Sequence, residues 1–181
     1  MSENYVTLDT GIKKMVEDLT SLTTDKVIKD NQNGPRPDLP YISFQRVAEE
    51  KMQRNTIVGP DGTNDKKINN VKKVVVRFQS YGDTAHNLLD DLVLGQDNDA
   101  VMSVIRDTYG FNVLNYGSVS DAPAIMTNHY ETRAFIDMTI IFTTQLVLAS
   151  TSDCIIEDVN GIGTFKDLVD GDEDVTFSID T

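Results

Sequence analysis

The chain has 181 residues and a mass of 20.1 kDa, enough to bury a sizeable core without disulfide or metal staples. Its 29 acidic and 16 basic side chains give a formal net charge of −13, which argues against general nucleic-acid binding, because phosphate contacts need clustered Lys and Arg. A single cysteine, Cys154, excludes an internal disulfide and any multi-cysteine zinc site. No apolar run reaches the about 20 residues of a membrane span, and the first residues lack a signal-peptide layout, so synthesis in the cytoplasm is expected.

The first periodic segment predicts a helix over Thr10–Thr23, with Asp9 or Thr10 as its N-cap and Ile12, Met15, Val16, Leu19 and Leu22 on one face. A short extended piece is expected at Lys26–Lys29. Asn33–Pro40 then carries Pro35, Pro37 and Pro40, which forbid a helix or a central strand and predict a stiff, polyproline-like stretch. Two readings stand for it: a rigid surface connection, or an arm laid on a neighbouring subunit.

Tyr41–Val58 reads as a strand with Ile42, Phe44 and Val47 as its apolar members. Gly59-Pro60-Asp61-Gly62 is a turn signal, and Lys72–Tyr81 returns with Val74, Val76 and Phe78 on one side. Together they predict a long β-hairpin with a polar, mobile tip over Arg54–Asn70. Nine basic and five acidic side chains lie between Arg36 and Arg77, so this region is locally basic in an acidic protein.

Asp83 or Thr84 should cap a helix running to Leu94, with Ala85, Leu88, Leu89 and Leu92 buried and Gly95 ending it. A second short helix should start at Asp97 or Asn98, bury Val101, Val104, Ile105 and Tyr109, and end at Gly110. Phe111–Val119 predicts a strand. The strongest β signal is Glu131–Ala149, whose even positions from Ala134 to Phe142 are all apolar while the odd ones are mixed, the pattern of one core face. Such a run is far longer than a typical strand, so a bulge or a projection beyond the domain is expected. Cys154–Val159 predicts a short partner strand, Asp167–Asp174 is a concentrated acidic run, and Val175, Phe177 and Ile179 alternate as an edge strand would. The expected organisation is a single α+β domain over residues 1–166, followed by an acidic segment over 167–181. Its sheet should be largely antiparallel, with a long hairpin and helices on one face.

Catalytic chemistry finds little footing. His86 and His129 sit in different elements, with no patterned Ser or Cys nucleophile beside either. No phosphate-binding glycine motif occurs. Asp158-x-Asn160 imitates the opening of a calcium loop, but Val169 stands where the bidentate Glu belongs. No catalytic residue, cofactor or metal site is therefore expected. Glu131 and Arg133 lie two apart at the start of the long strand, and a cross-strand ion pair with Arg77 or another charge is plausible; an exposed pair and a subunit contact are both open.

Three stretches then stand out as a set: Asn33-Gly34-Pro35-Arg36-Pro37-Asp38-Leu39-Pro40-Tyr41, Arg77-Phe78-Gln79-Ser80-Tyr81-Gly82 with its helix, and Tyr130-Glu131-Thr132-Arg133-Ala134-Phe135-Ile136-Asp137. In order and spacing they resemble the neck or tail-terminator proteins of tailed bacteriophages, over residues 8 to 160; the acidic terminus after Phe165 has no counterpart. The resemblance implies a structural virion protein of the tail and neck. It would form a hexameric ring that caps the tail tube and joins it to head-connector proteins while DNA passes through the lumen without specific binding. Pro35, Arg36, Pro37, Pro40, Tyr41, Arg77, Glu131 and Arg133 are the contact residues it suggests. The alternatives are a tail-tube or baseplate adaptor subunit that polymerises and, more remotely, a small metal-dependent hydrolase. Basic hairpin surfaces are expected to meet acidic surfaces of neighbouring proteins, with Asp167–Asp174 as a source of negative field at the lumen or a partner contact.

Overall fold

The computed structural model describes residues 3–31, 33–52, 56–58, 66–126, 129–148, 162–165 and 175–178. They belong to two compact units, Met1–Thr56 with Asn69–Gln145, and Ile57–Ile68 with Leu146–Thr181.

In the larger unit, α1 spans Glu3–Thr20 and starts before the expected Thr10. Its buried stripe begins at Leu8 and continues through Ile12, Met15 and Val16. Asp9, expected as a cap, is inside the helix and accepts a 2.6 Å bond from Lys29. Ser21, with φ of 56°, takes the chain out of the helix one turn before the expected Thr23. Gly11 is required by close packing: a Cβ there would lie 2.6 Å from Tyr109 Cβ.

The remaining elements are β1 (Val27–Lys29), β2 (Tyr41–Lys51), β3 (Thr56–Val58), β4 (Lys66–Tyr81), α2 (Ala85–Leu94), α3 (Asp99–Tyr109), β5 (Phe111–Tyr116), β6 (Ser120–Asp121), β7 (Ala124–Met126), β8 (His129–Glu131), β9 (Arg133–Leu148), β10 (Ile162–Phe165) and β11 (Val175–Ser178). The main sheet runs β1-β2-β4-β9-β5, with β3 on β4 and β6 on β9. β1 pairs with β2 in parallel; β2–β4, β5–β9 and β6–β9 are antiparallel. β7 and β8 form a separate two-stranded sheet. In the smaller unit, β10 and β11 pair antiparallel. The expected turn at Gly59–Gly62, partner strand at Cys154–Val159 and acidic run at Asp167–Asp174 lie outside the described residues. The described part of the hairpin tip is ladder: Thr56–Val58 pairs with β4, which begins at Lys66 rather than Lys72.

One face of the sheet carries the core. Ile42, Phe44, Val74, Val76, Phe78, Ala134, Ile136, Met138, Ile140 and Phe142 join the buried stripes of α1, α2 and α3 in one cluster. The fold is α+β, with its helices packed on that face. α2 buries the four residues its period names, whereas α3 buries Met102 and Ile105 and leaves Val104 at 51 % exposure. Asn98 caps α3 by accepting from Ala100 N at 3.2 Å, and Gly110 ends it with φ of 70°.

β2 departs from strict alternation. Its register against β4 shifts between Arg46 and Ala48, so Val47 is an extra residue without a partner. Expected in the core, Val47 is 48 % exposed. Beyond it, Glu49 rather than Ala48 lies on the side of Val74, its partner across the ladder.

Candidate functional site: an anchored proline-rich arm

β2 and β4 bring Tyr41 and Tyr81 directly opposite each other at the end of the hairpin farthest from its tip. The rings stack at 4.4 Å with 12° between planes. The Arg36 guanidinium reaches back from the proline-rich segment and lies 5.2 Å from the Tyr41 ring and 5.4 Å from the Tyr81 ring. Arg133, at the start of β9, lies 5.1 Å from the Tyr81 ring.

Both arginines converge on Glu131. Arg36 Nη2 donates to Oε1, and Arg133 Nε donates to Oε2 at 2.6 Å. Each carboxylate oxygen thus has its own guanidinium. The Glu131 side chain is only 5 % exposed, against 40 % for Arg36 and 27 % for Arg133. A buried carboxylate is costly to desolvate unless it is charge-paired and hydrogen-bonded, and two guanidinium groups meet that demand here. Burial pushes the Tyr41 hydroxyl above its ordinary pKa, against the opposing pull of Arg36.

The backbone secures the same corner. Gly82 N donates to Thr132 O at 3.0 Å. Gly82 has φ of 107°, and a Cβ there would lie 3.3 Å from Pro40 Cα. Within the arm, Lys26 Nζ donates to Asp38 O at 2.5 Å. Pro35, Arg36, Asp38 and Leu39 are exposed and Pro37 is half-buried.

Of the eight residues singled out from sequence, Arg36, Pro40, Tyr41, Glu131 and Arg133 therefore meet in one cluster. Arg77 stands apart: its Nε and Nη2 donate to the two Asp137 oxygens at 2.7 and 2.8 Å, over the Phe135 ring. Of the partners left open for Glu131, Arg36 and Arg133 rather than Arg77 meet it, and its side chain is buried within this chain. Tyr81, Gly82 and Lys26 are members that sequence reasoning missed. Register alone exposes Tyr81, since a hairpin beginning at Tyr41 and ending at Tyr81 must oppose them.

A second charged group lies further along the hairpin. Tyr5 OH donates to Glu49 at 2.7 Å, and Lys72 Nζ donates to Glu49 at 2.6 Å and to Tyr5 OH at 2.5 Å. Burial works to raise the Glu49 pKa, but the bonds from Lys72 and Tyr5 outweigh it and hold the carboxyl below its ordinary value. His86 Nδ1 lies 3.0 Å from Asp121 and its Nε2 lies 3.5 Å from Asp90, on an exposed surface. His129 belongs to β8. Among the described residues no group of three or more His, Cys, Asp or Glu is placed to hold a metal ion, and no helix is long and apolar enough to cross a membrane.

This arrangement fixes backbone and buries charge, with each Glu131 oxygen paired to its own guanidinium. The sequence matches the family model described as phage neck terminator protein over residues 6–172. The chain belongs to that family. Its role is structural, in the neck of a tailed bacteriophage particle. The match reaches Asp172, well into the acidic run that the sequence resemblance left without a counterpart. No curated protein matches the chain.

Proposed function

We propose that this neck terminator is a ring-forming subunit, hexameric in the virion, that caps the tail tube and joins it to the head connector. The observation that carries this reading is the anchored arm. Pro35 and Leu39 stand exposed on an arm tied at Arg36 by Glu131 and at Asp38 by Lys26, so little chain entropy remains to be lost when it docks. Pro35, Pro37 and Leu39 would make the contact, while Arg36, Pro40, Tyr41, Glu131 and Arg133 hold it in place. Arg77 belongs to the neighbouring sheet face and would serve there with Asp137. The net charge of −13 suits a lumen that DNA traverses without being held.

Electron microscopy of the protein with isolated tail tubes tests the proposal. A single closed six-fold ring at one tube end is expected. Stacked rings growing with protein concentration would identify a polymerising tube subunit instead. Micromolar binding of duplex DNA at low salt would overturn the passive lumen.

A further inference from the structure

The proline-rich arm opens on Asn33-Gly34, and both residues are exposed. An asparagine followed by glycine is open to attack by its own backbone, because glycine has no Cβ to crowd the incoming amide and turns freely. The space around Gly34 is open: a Cβ built there would meet nothing within 4 Å. Neither residue makes a hydrogen bond among the described residues. The side-chain ties of the arm begin further on, at Arg36 with Glu131 and at Asp38 with Lys26.

Every other asparagine among the described residues is followed by a residue with a side chain. Asn98 is also held in place, since it caps α3 by accepting from Ala100 N and precedes Asp99. Asn112 and Asn115 lie in the β5–β9 ladder. The second Asn-Gly pair, Asn160-Gly161, lies outside the described residues.

We propose that Asn33 is a modification site at which the free chain deamidates in water, and that docking of the arm on a neighbouring subunit shields it. The Gly34 backbone nitrogen attacks Asn33 Cγ and forms a new C–N bond. The Cγ–Nδ2 bond breaks, and the displaced Gly34 amide proton leaves with the nitrogen as ammonia. Water then opens the cyclic imide. Attack at Cγ restores the ordinary main chain and leaves aspartate; attack at the main-chain carbonyl leaves isoaspartate. One water is consumed and one ammonia released. Either product places a carboxylate three residues before Arg36, and isoaspartate also lengthens the main chain by one carbon. The tie at Arg36 lies beyond this point, so the fold keeps its anchor while the start of the arm changes charge and direction. The shielding rests on the arm-docking reading; the chemistry at Asn33 does not.

Ageing the full chain at mildly alkaline pH tests both halves. Peptide mapping by mass spectrometry reads each asparagine separately, with fragment ions distinguishing Asn33 from Asn31, and enzymatic methylation counts isoaspartate. Asn33 should convert at least about tenfold faster than Asn98, and Gly34→Ala should remove most of that advantage. Asn33→Gln should abolish the signal and leave the melting temperature unchanged, because the residue is exposed. On chains assembled at the ends of isolated tail tubes, conversion at Asn33 should slow at least about fivefold, since a docked backbone opens rarely. Conversion at Asn33 no faster than at Asn98 would overturn the site, whatever the assembly does. Fast conversion in the free chain at an unchanged rate on the tubes would leave the site standing and overturn the docking of the arm.

Discussion

The two ends of the β2–β4 hairpin solve the problem of charge in opposite ways. At the Tyr41–Tyr81 end one carboxylate is taken out of water and given two arginines, a stacked aromatic floor and a left-handed glycine. At the Tyr5–Glu49–Lys72 end the carboxylate stays at the surface, and its partners are a phenol and a flexible amine. Removing a partner from a buried pair strands the charge left behind, while removing one from an exposed pair hands it to water. The first end is therefore built to hold a segment in one place, and the second to present charge.

The sharpest break of this contrast is Glu131→Ala, which leaves two guanidinium groups facing each other. It should cost roughly 3 kcal/mol, the low side for a broken buried pair because Arg36 is partly solvated. Asp137→Ala on the same sheet, which opens an equally well-formed but exposed pair, should cost less than about 1 kcal/mol. Urea unfolding of both variants measures the difference; equal losses would erase the distinction between the two kinds of pair.

Gly82→Ala should cost about 2 kcal/mol, from backbone strain at positive φ together with the close approach to Pro40. Proteolysis within the arm should become faster, because the corner that anchors it is displaced. Tyr5→Phe, at the other end, should cost about 1 kcal/mol or less, since its acceptor is half in water. Its effect should depend on pH. The Glu49 pKa is lowered on folding, so the contribution is present above the unfolded value and lost as pH falls through the folded one. Parent and variant melting temperatures should converge in acid.

The smallest effect is expected at His86. The bond to Asp121 raises its pKa, against the opposing effect of desolvation, and the charges of Asp90 and Asp121 add to the rise. A raised pKa contributes stability that is full below the unfolded value and vanishes as pH rises through the folded one. His86→Ala should lower the melting temperature slightly at pH 5 and leave it unchanged at pH 8. A shift of equal size at both would show that packing, not charge, is responsible.

What the sequence made legible follows from how local each signal is. β9 could be read position by position from Ala134 to Phe142, because a strand with one core face writes its period into its neighbours. The stripe of α2 was equally plain. Val104 went astray because a helix of this length lets its apolar stripe rotate toward Met102. The early start of α1 was hidden by Asp9, which looks like a cap and instead bonds to Lys29. The anchor itself joins Arg36 to a residue 95 positions away, and no local pattern records such a partner. Its members could be named only separately, as an arm and as a strand start.

The extra residue at Val47 has one more consequence. Side chains on a strand alternate between two faces, so the chain before and after the bulge runs in different phase, as two rulers offset by one mark. Ile42 and Phe44 obey the phase of the core; Glu49 and Lys51 obey that of the hairpin's outer half. Losing Val47 would make the ladder regular, with Arg46, Ala48 and Glu49 still opposite Val76, Val75 and Val74, so Ala48 and Glu49 would keep their present sides. Two added residues in the outer half would keep its phase, whereas one would invert every contact beyond the insertion. The length of the hairpin is thus free to vary in even steps without disturbing the register of the core.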